Sequence, residues 1–218
     1  MPNDRAQPAR QDEQPVFTAD WFETVARPLW DQFIPSLEAR RVLEVGSYEG
    51  ASACYLIDHL AAQAPLEIHC IDAWIDTGTW NRAIVDMAEI EARFRRNTAL
   101  LVARSPHPVT LEVHKGYSDV CLATLLAQKG KGYFDLVYVD GSHQASDVLA
   151  DAVVGFQLLR PHGIMIFDDY LWRGGEDNYS DPAMCPKMAI DAFINCNHAN
   201  LRIVNAPLYQ IYLQKLSA

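Results

Sequence analysis

The chain has 218 residues, half of them hydrophobic and 21% charged, and a formal net charge of −10. That length supports one large domain with a full core. The acidic balance argues against a phosphate-backbone partner, because nucleic-acid binding needs a basic face. The short basic run Arg93, Arg95, Arg96 reads as a solvated helix face.

The five cysteines form no C-x-x-C pair, so free thiols in a reducing, cytoplasmic compartment are expected. The polar N-terminus has no apolar leader core, and no apolar run reaches the roughly 18 residues of a membrane span. No membrane partner is expected.

Residues 1–15 are rich in Pro, Gln and charge and are expected to form a disordered tail, with a single domain over 16–218. The domain opens with a helical segment over 16–38. There Phe17, Trp21, Phe22, Val25, Leu29, Trp30, Phe33 and Ile34 recur at near-helical spacing, with breaks expected near Pro28 and Pro35 and a cap at Thr18 or Asp20. From there strands and helices alternate. Strand 41–45 precedes helix 51–64, and strand 67–71 precedes a loose segment and helix 82–101. Strand 109–114 precedes helix 118–128, and strand 134–139 precedes helix 146–159, which Arg160-Pro161-His162-Gly163 should end. Strand 164–167, a polar loop and helix 187–196 follow, and strands 201–205 and 209–214 close the chain.

Apolar strands separated by helices imply an α/β fold: a Rossmann-like, doubly wound, mostly parallel seven-stranded sheet with helices on both faces. The last two strands stand too close for a helical crossover, so the C-terminal strand should run antiparallel.

Ligands of open α/β sheets bind at the carboxyl ends of the strands. Four of the first five strands end in a special residue, namely Gly46, Asp72, Asp140 and the pair Asp168-Asp169, and the third ends in Lys115-Gly116. Asp and Gly are also ordinary turn formers, which suffices for any one position but not for the set. The first strand and its turn read VLEVGSYEG. Gly46 permits a tight turn, and Gly50 lets a helix start close to a ligand or to the strand. The pattern is E-x-G-x-x-x-G rather than the G-x-G-x-x-G of dinucleotide folds. Glu44 would repel a pyrophosphate and suits a ligand with a sulfonium and an amino group. Asp72 can accept both hydrogen bonds of a ribose diol, whether the ligand is a nicotinamide dinucleotide or S-adenosylmethionine.

VLEVGSYEG, CIDAW, KGYS, FDLVYVDGSH and LLRPHGIMIFDDY resemble, in that order, the motifs of class I S-adenosylmethionine-dependent methyltransferases. The closest likeness is the subgroup with D-G-x-H after strand 4 and an acidic end to strand 5. The resemblance covers about residues 17–214 and departs at Pro161-His162-Gly163, where the family usually has Pro-Gly-Gly. It implies a methionine-side pocket from Glu44, Gly46, Ser47, Tyr48 and Gly50. It implies ribose contact at Asp72, with Ala73 and Trp74 against the adenosine. Gly116, Tyr117 and Ser118 would border the adenine, and Asp140 and Gly141 would close the site near the reacting methyl.

Asp140, Asp168 and Asp169 sit on adjacent strand ends, and hard oxygen ligands suit Mg²⁺ or another divalent cation. The set resembles the divalent-metal O-methyltransferases of the catechol and macrolide-sugar types. His143 stands where the catechol type has a lysine base, and an imidazole there can take an acceptor proton. The sugar type has an aspartate at the position of Ser142, and serine is too weak a base. The alternative for His143 is packing under its loop.

Trp74, Trp80, Tyr170 and Trp172 are read as walls of an acceptor pocket or as core. Trp21, Trp30 and Phe33 are read as packing, as a homo-oligomer face, or as a lid. The implied function is methyl transfer to a small-molecule hydroxyl. The alternatives are a metal-independent methyltransferase, a non-catalytic adenosyl-binding protein and, further off, an NAD-dependent oxidoreductase.

Overall fold

The computed structural model describes residues 13–75, 86–173 and 181–216. The expected tail lies mostly outside these residues, as does Trp80. Seven strands form one sheet in the order β3-β2-β1-β4-β5-β7-β6. They are β1 (Arg41–Val45), β2 (Leu66–Asp72), β3 (Val109–Lys115), β4 (Phe134–Val139), β5 (Leu159–Phe167), β6 (Leu201–Val204) and β7 (Ile211–Lys215). β1 to β5 pair in parallel, and β7 runs antiparallel to both β5 and β6. From β1 the chain steps outward to β2 and β3, then returns to place β4 on the other side of β1. The reversal point between β1 and β4 opens a crevice at the carboxyl ends.

Side chains along each central strand alternate between two cores, because helices cover both faces of the sheet. Val42, Ile68, Cys70, Leu136, Tyr138, Ile164 and Ile166 enter one core. Leu43, Ile71, Val137, Val139, Met165 and Phe167 enter the other. The first face carries α1 (Arg27–Phe33), α2 (Ala51–Leu60) and α3 (Met87–Arg104), through Trp30, Leu56 and Phe94. The second carries α4 (Ser118–Lys129), α5 (Ala145–Leu158) and α6 (Pro186–Asn197), through Leu122, Phe156 and Phe193. β4, paired on both sides, is buried throughout, whereas edge strand β3 alternates partly buried and exposed residues.

Two expectations shift for physical reasons. Pro28 does not break the first helix. A π-helical turn, Phe22–Ala26, leads into α1, and Arg27 N–H donates to Phe22 O, five residues back. Pro28 falls in the first turn of α1, where its missing N–H costs little. Neither Thr18 nor Asp20 caps this segment with its side chain; Thr18 is bound elsewhere. The run Arg160-Pro161-His162-Gly163 is likewise not a loop. α5 passes directly into β5 at Leu159, with a register shift against β4 and His162 at φ 64°.

Among the described residues no helix is long and apolar enough to cross a membrane.

Candidate active site

The turn after β1 is held by backbone geometry. Gly46 has φ 87°, and a Cβ there would collide with the Asp140 carbonyl group and come within 2.6 Å of Gly141 Cα. Only glycine lets the β1 and β4 ends approach this closely. Gly50, at φ 83°, precedes α2, and a Cβ there would lie 2.9 Å from the Phe94 ring.

Glu44 is fully buried behind this loop. It accepts hydrogen bonds from Ser47 Oγ at 2.5 Å and Ser52 Oγ at 2.6 Å. Burial pushes its carboxyl up to about 7. Glu44, expected in the methionine-side pocket, is wholly buried and braces the loop from inside. Asp72 fastens the same loop from the side. Its Oδ2 accepts from Ser47 N–H at 2.9 Å and Tyr48 N–H at 2.8 Å, and its Oδ1 from Trp74 N–H at 2.7 Å. Ala73 is partly buried.

Trp74, expected against an adenosine, in an acceptor wall or in the core, is packed in the core and only 5% exposed. Its left-handed backbone, φ 45°, turns the indole inward, where Nε1 donates to Tyr48 O at 3.0 Å and the ring packs on Phe94. Gly116, Tyr117 and Ser118 lie together at the end of β3 and the start of α4, with Tyr117 exposed. Gly116 N–H donates to Asp72 O at 2.9 Å, which keeps this corner beside Asp72.

Glu49 is a residue the sequence reading passed over. It is 2% exposed and accepts from Thr18 N–H at 2.6 Å, Thr18 Oγ1 at 2.5 Å and the Arg93 guanidinium. Burial raises its pKa, but the Thr18 bonds and Arg93 outweigh that and hold the carboxyl below its usual range. Asn97 adds a two-way pair with the backbone of Val16. Trp21 lies over the Tyr48 ring with centroids 5.3 Å apart. The segment before α1 is thereby strapped across the glycine loop.

The second half of the crevice gathers carboxylates. Asp140 follows β4, and Asp168 and Asp169 follow β5. The Tyr138 hydroxyl bonds to Oδ2 of both Asp140 and Asp168. Asp168 also accepts from Gln210 Nε2 at 2.8 Å and Asp169 N–H at 2.7 Å. Asp169, at φ 57°, accepts from His143 Nε2–H at 2.7 Å and the Tyr209 hydroxyl at 3.0 Å. His143 also stacks on Trp172 with centroids 4.0 Å apart. Ser142 donates to Asp147 and stands apart from this network.

Burial, and then the charges of Asp168 and Asp169, drive Asp140 well above the carboxylate range. Burial, and then Asp169, lifts Asp168 to about 6. Three crowded carboxylates resist carrying three charges unless a cation is present. They line a cavity of about 10 Å³ together with Ser142, His143, Val148 and Pro186, room for one water or one ion. Each ionised carboxylate offers about four lone-pair sites, so the donors described here leave capacity on all three. The donor set and the cavity size fit a small hard cation. In their present rotamers, however, no three His, Cys, Asp or Glu side chains among the described residues converge into a metal-holding group.

Of the aromatic residues, Trp172 reaches the site through His143, whereas Tyr170 donates to Asp191. Trp30 is fully buried and donates to Gln210. Tyr138, Tyr209 and Gln210 are further site residues that local sequence pattern did not mark.

Residues 43–170 match a family model described as a methyltransferase domain. A comparison with curated protein sequences finds no match. Among solved structures, an O-methyltransferase from Bacillus cereus in complex with SAH is 16% identical with TM-score 0.59, covering 93% of this chain and 83% of that one. TomG from Streptomyces achromogenes, an O-methyltransferase involved in tomaymycin synthesis solved with SAM, is 18% identical with TM-score 0.58, covering 94% and 82%. MycE, a methyltransferase from the mycinamycin biosynthetic pathway solved with Mg and SAH, is 17% identical with TM-score 0.54. The match covers 93% of this chain and 51% of MycE. At these identities the likeness is one of fold. The family match spans more than half of the chain, and the chain belongs to the methyltransferase-domain family.

Proposed function

We propose that this chain transfers the methyl group of S-adenosylmethionine to a hydroxyl oxygen of a small molecule, beside a divalent cation held by Asp140, Asp168 and Asp169. The observation that carries the reading is the gathering of three carboxylates and His143 around one ion-sized cavity, next to the glycine turn. The SAM or SAH in the B. cereus and TomG structures, and the Mg in MycE, support it.

S-Adenosylmethionine supplies an activated methyl, and the cation supplies positive charge that eases ionisation of the acceptor hydroxyl. Gly46, Ser47, Tyr48 and Gly50 would border the methionine end, with Glu44 bracing them from behind. Asp72 retains lone-pair capacity for a ribose diol while holding the loop. Gly116, Tyr117 and Ser118 would flank the adenine, and Asp140 and Gly141 the reacting methyl. His143, oriented by its bond to Asp169, would take the acceptor proton. Catalysis then rests mainly on positioning acceptor and methyl in line.

A second reading keeps the methyl transfer and the His143–Asp169 pair but needs no metal. It is favoured by the absence, among the described residues, of an already converged metal group. Calorimetric titration with S-adenosylhomocysteine and with NAD tests the cofactor; binding of NAD alone refutes the reading. Turnover is then screened on small molecules with vicinal hydroxyls. Loss with EDTA, recovery with Mg²⁺, and loss in Asp168→Ala are expected. Turnover indifferent to EDTA leaves the second reading in place.

A further inference from the structure

Gln210 immediately precedes β7 and is 1% exposed. Its Oε1 lies 3.0 Å from Trp30 Nε1. An indole nitrogen can only donate, so the amide oxygen must face Trp30. The Tyr212 hydroxyl, 2.6 Å from the same oxygen, must then donate as well. These two donors lock the amide, and Nε2 is left pointing at Asp168 Oδ2, 2.8 Å away. An amide N–H cannot accept, so that carboxylate oxygen is held as an acceptor. Tyr138 from β4 bonds to the same oxygen, and Asp169 N–H fixes Oδ1.

We propose that Gln210 is a positioning residue for the carboxylate site. It sets the plane of Asp168 and couples that plane to Trp30 on α1. The proposal rests on the reading that Asp168 helps to hold a divalent cation. Asp168 directly follows β5, where rotation about its side-chain bonds would swing both oxygens away from Asp140 and Asp169. A buried amide with both ends committed removes that freedom before any ligand arrives. α1 thereby contributes to the carboxylate site without bonding to its carboxylates, through Trp30, which is fully buried and packs on Tyr138 with ring centroids 4.8 Å apart.

The test measures Mg²⁺ affinity by calorimetry, well below the melting temperature, for the wild type, Gln210→Leu and Tyr212→Phe. Gln210→Leu removes the bond to Asp168, and Mg²⁺ affinity should fall by about 10–100-fold. Tyr212→Phe leaves Trp30 to orient the amide, and affinity should stay within about threefold of wild type even if the melting temperature drops. A purely structural role would lower both melting temperatures and leave both affinities unchanged, which overturns the proposal. If the wild type binds Mg²⁺ and Gln210→Leu binds it equally well, Gln210 has no positioning role while the metal reading stands. If the wild type binds no divalent cation, the metal reading fails and this proposal with it. Should Gln210→Leu not fold, the wild type still decides. The Trp30 indole N–H resonance, assigned with Trp30→Phe, should move with Mg²⁺ saturation, and a resonance that stays fixed refutes the coupling.

Discussion

Asp151 offers a test of how this protein tolerates a buried charge. It lies on α5, is 1% exposed, and neither carboxylate oxygen has a hydrogen-bond partner among the described residues. Burial raises its pKa from 3.8 to about 7; the nearby Ser118 side chain offsets part of the rise, and the charges of Asp147 and Asp119 add to it. The folded state therefore holds the proton more tightly than the unfolded chain. Stability from this group is complete below the unfolded pKa and is lost as pH climbs through the folded one. A shift of about three units corresponds to about 4 kcal/mol in total, of which about 2.5 kcal/mol falls between pH 5 and pH 8.

Asp151→Asn removes the ionisation and keeps the shape. The cost of burying an amide is the same at every pH, so it cancels in the comparison. Glu44 titrates over a similar range but is unchanged in the variant, so it cancels too. Urea unfolding at pH 5, 6.5 and 8 should show the variant gaining about 2.5 kcal/mol relative to wild type from pH 5 to pH 8. A stability difference constant within about 0.5 kcal/mol across this range refutes the argument and means that the carboxylate is satisfied in solution.

Other perturbations probe the site itself. Gly46→Ala places a methyl group against the Asp140 carbonyl at a backbone angle disfavoured for alanine; a loss of about 3 kcal/mol or more is expected in chemical unfolding. A near-wild-type midpoint would mean that the β1 and β4 ends do not approach so closely. Glu49→Ala strips Thr18 and Arg93 of their buried acceptor and should cost about 3 kcal/mol. It should also speed proteolytic cleavage near residue 18; unchanged cleavage argues against the strap. His143→Ala should lower kcat by about 10²–10⁴ while S-adenosylhomocysteine affinity stays within about threefold. A fall in affinity with kcat intact would reassign His143 to packing.

The strand-end residues were legible because parallel strands bring their carboxyl ends to one edge whatever the loops do. Gly46, Asp72, Asp140 and Asp168 could therefore be placed together from spacing alone. What could not be read is which way each group faces. Glu44 and Trp74 stand in the right stretch, yet one is drawn under the loop by two serines and the other is turned inward by a left-handed backbone. Gln210 and Tyr138 looked like ordinary strand residues. Their significance comes from contacts spanning 42 and 30 positions to Asp168, and from Gln210 to Trp30 across 180. No local periodicity encodes such distances. Pro28 and Pro161 misled for a related reason: the π-helical turn and the register shift that accommodate them are set by neighbouring elements.

The central position of β1 also bears on the order in which the molecule is made. Its partner β4 lies about 90 residues further along the chain, so closing that pairing carries a large loop entropy and should be slow. A nascent chain that has emerged only as far as β3 can already pair β1 with β2 and β2 with β3. It has neither Asp140 nor the carbonyl that packs on Gly46. Ligand binding in a refolding experiment should therefore lag behind helix formation and report the completed sheet.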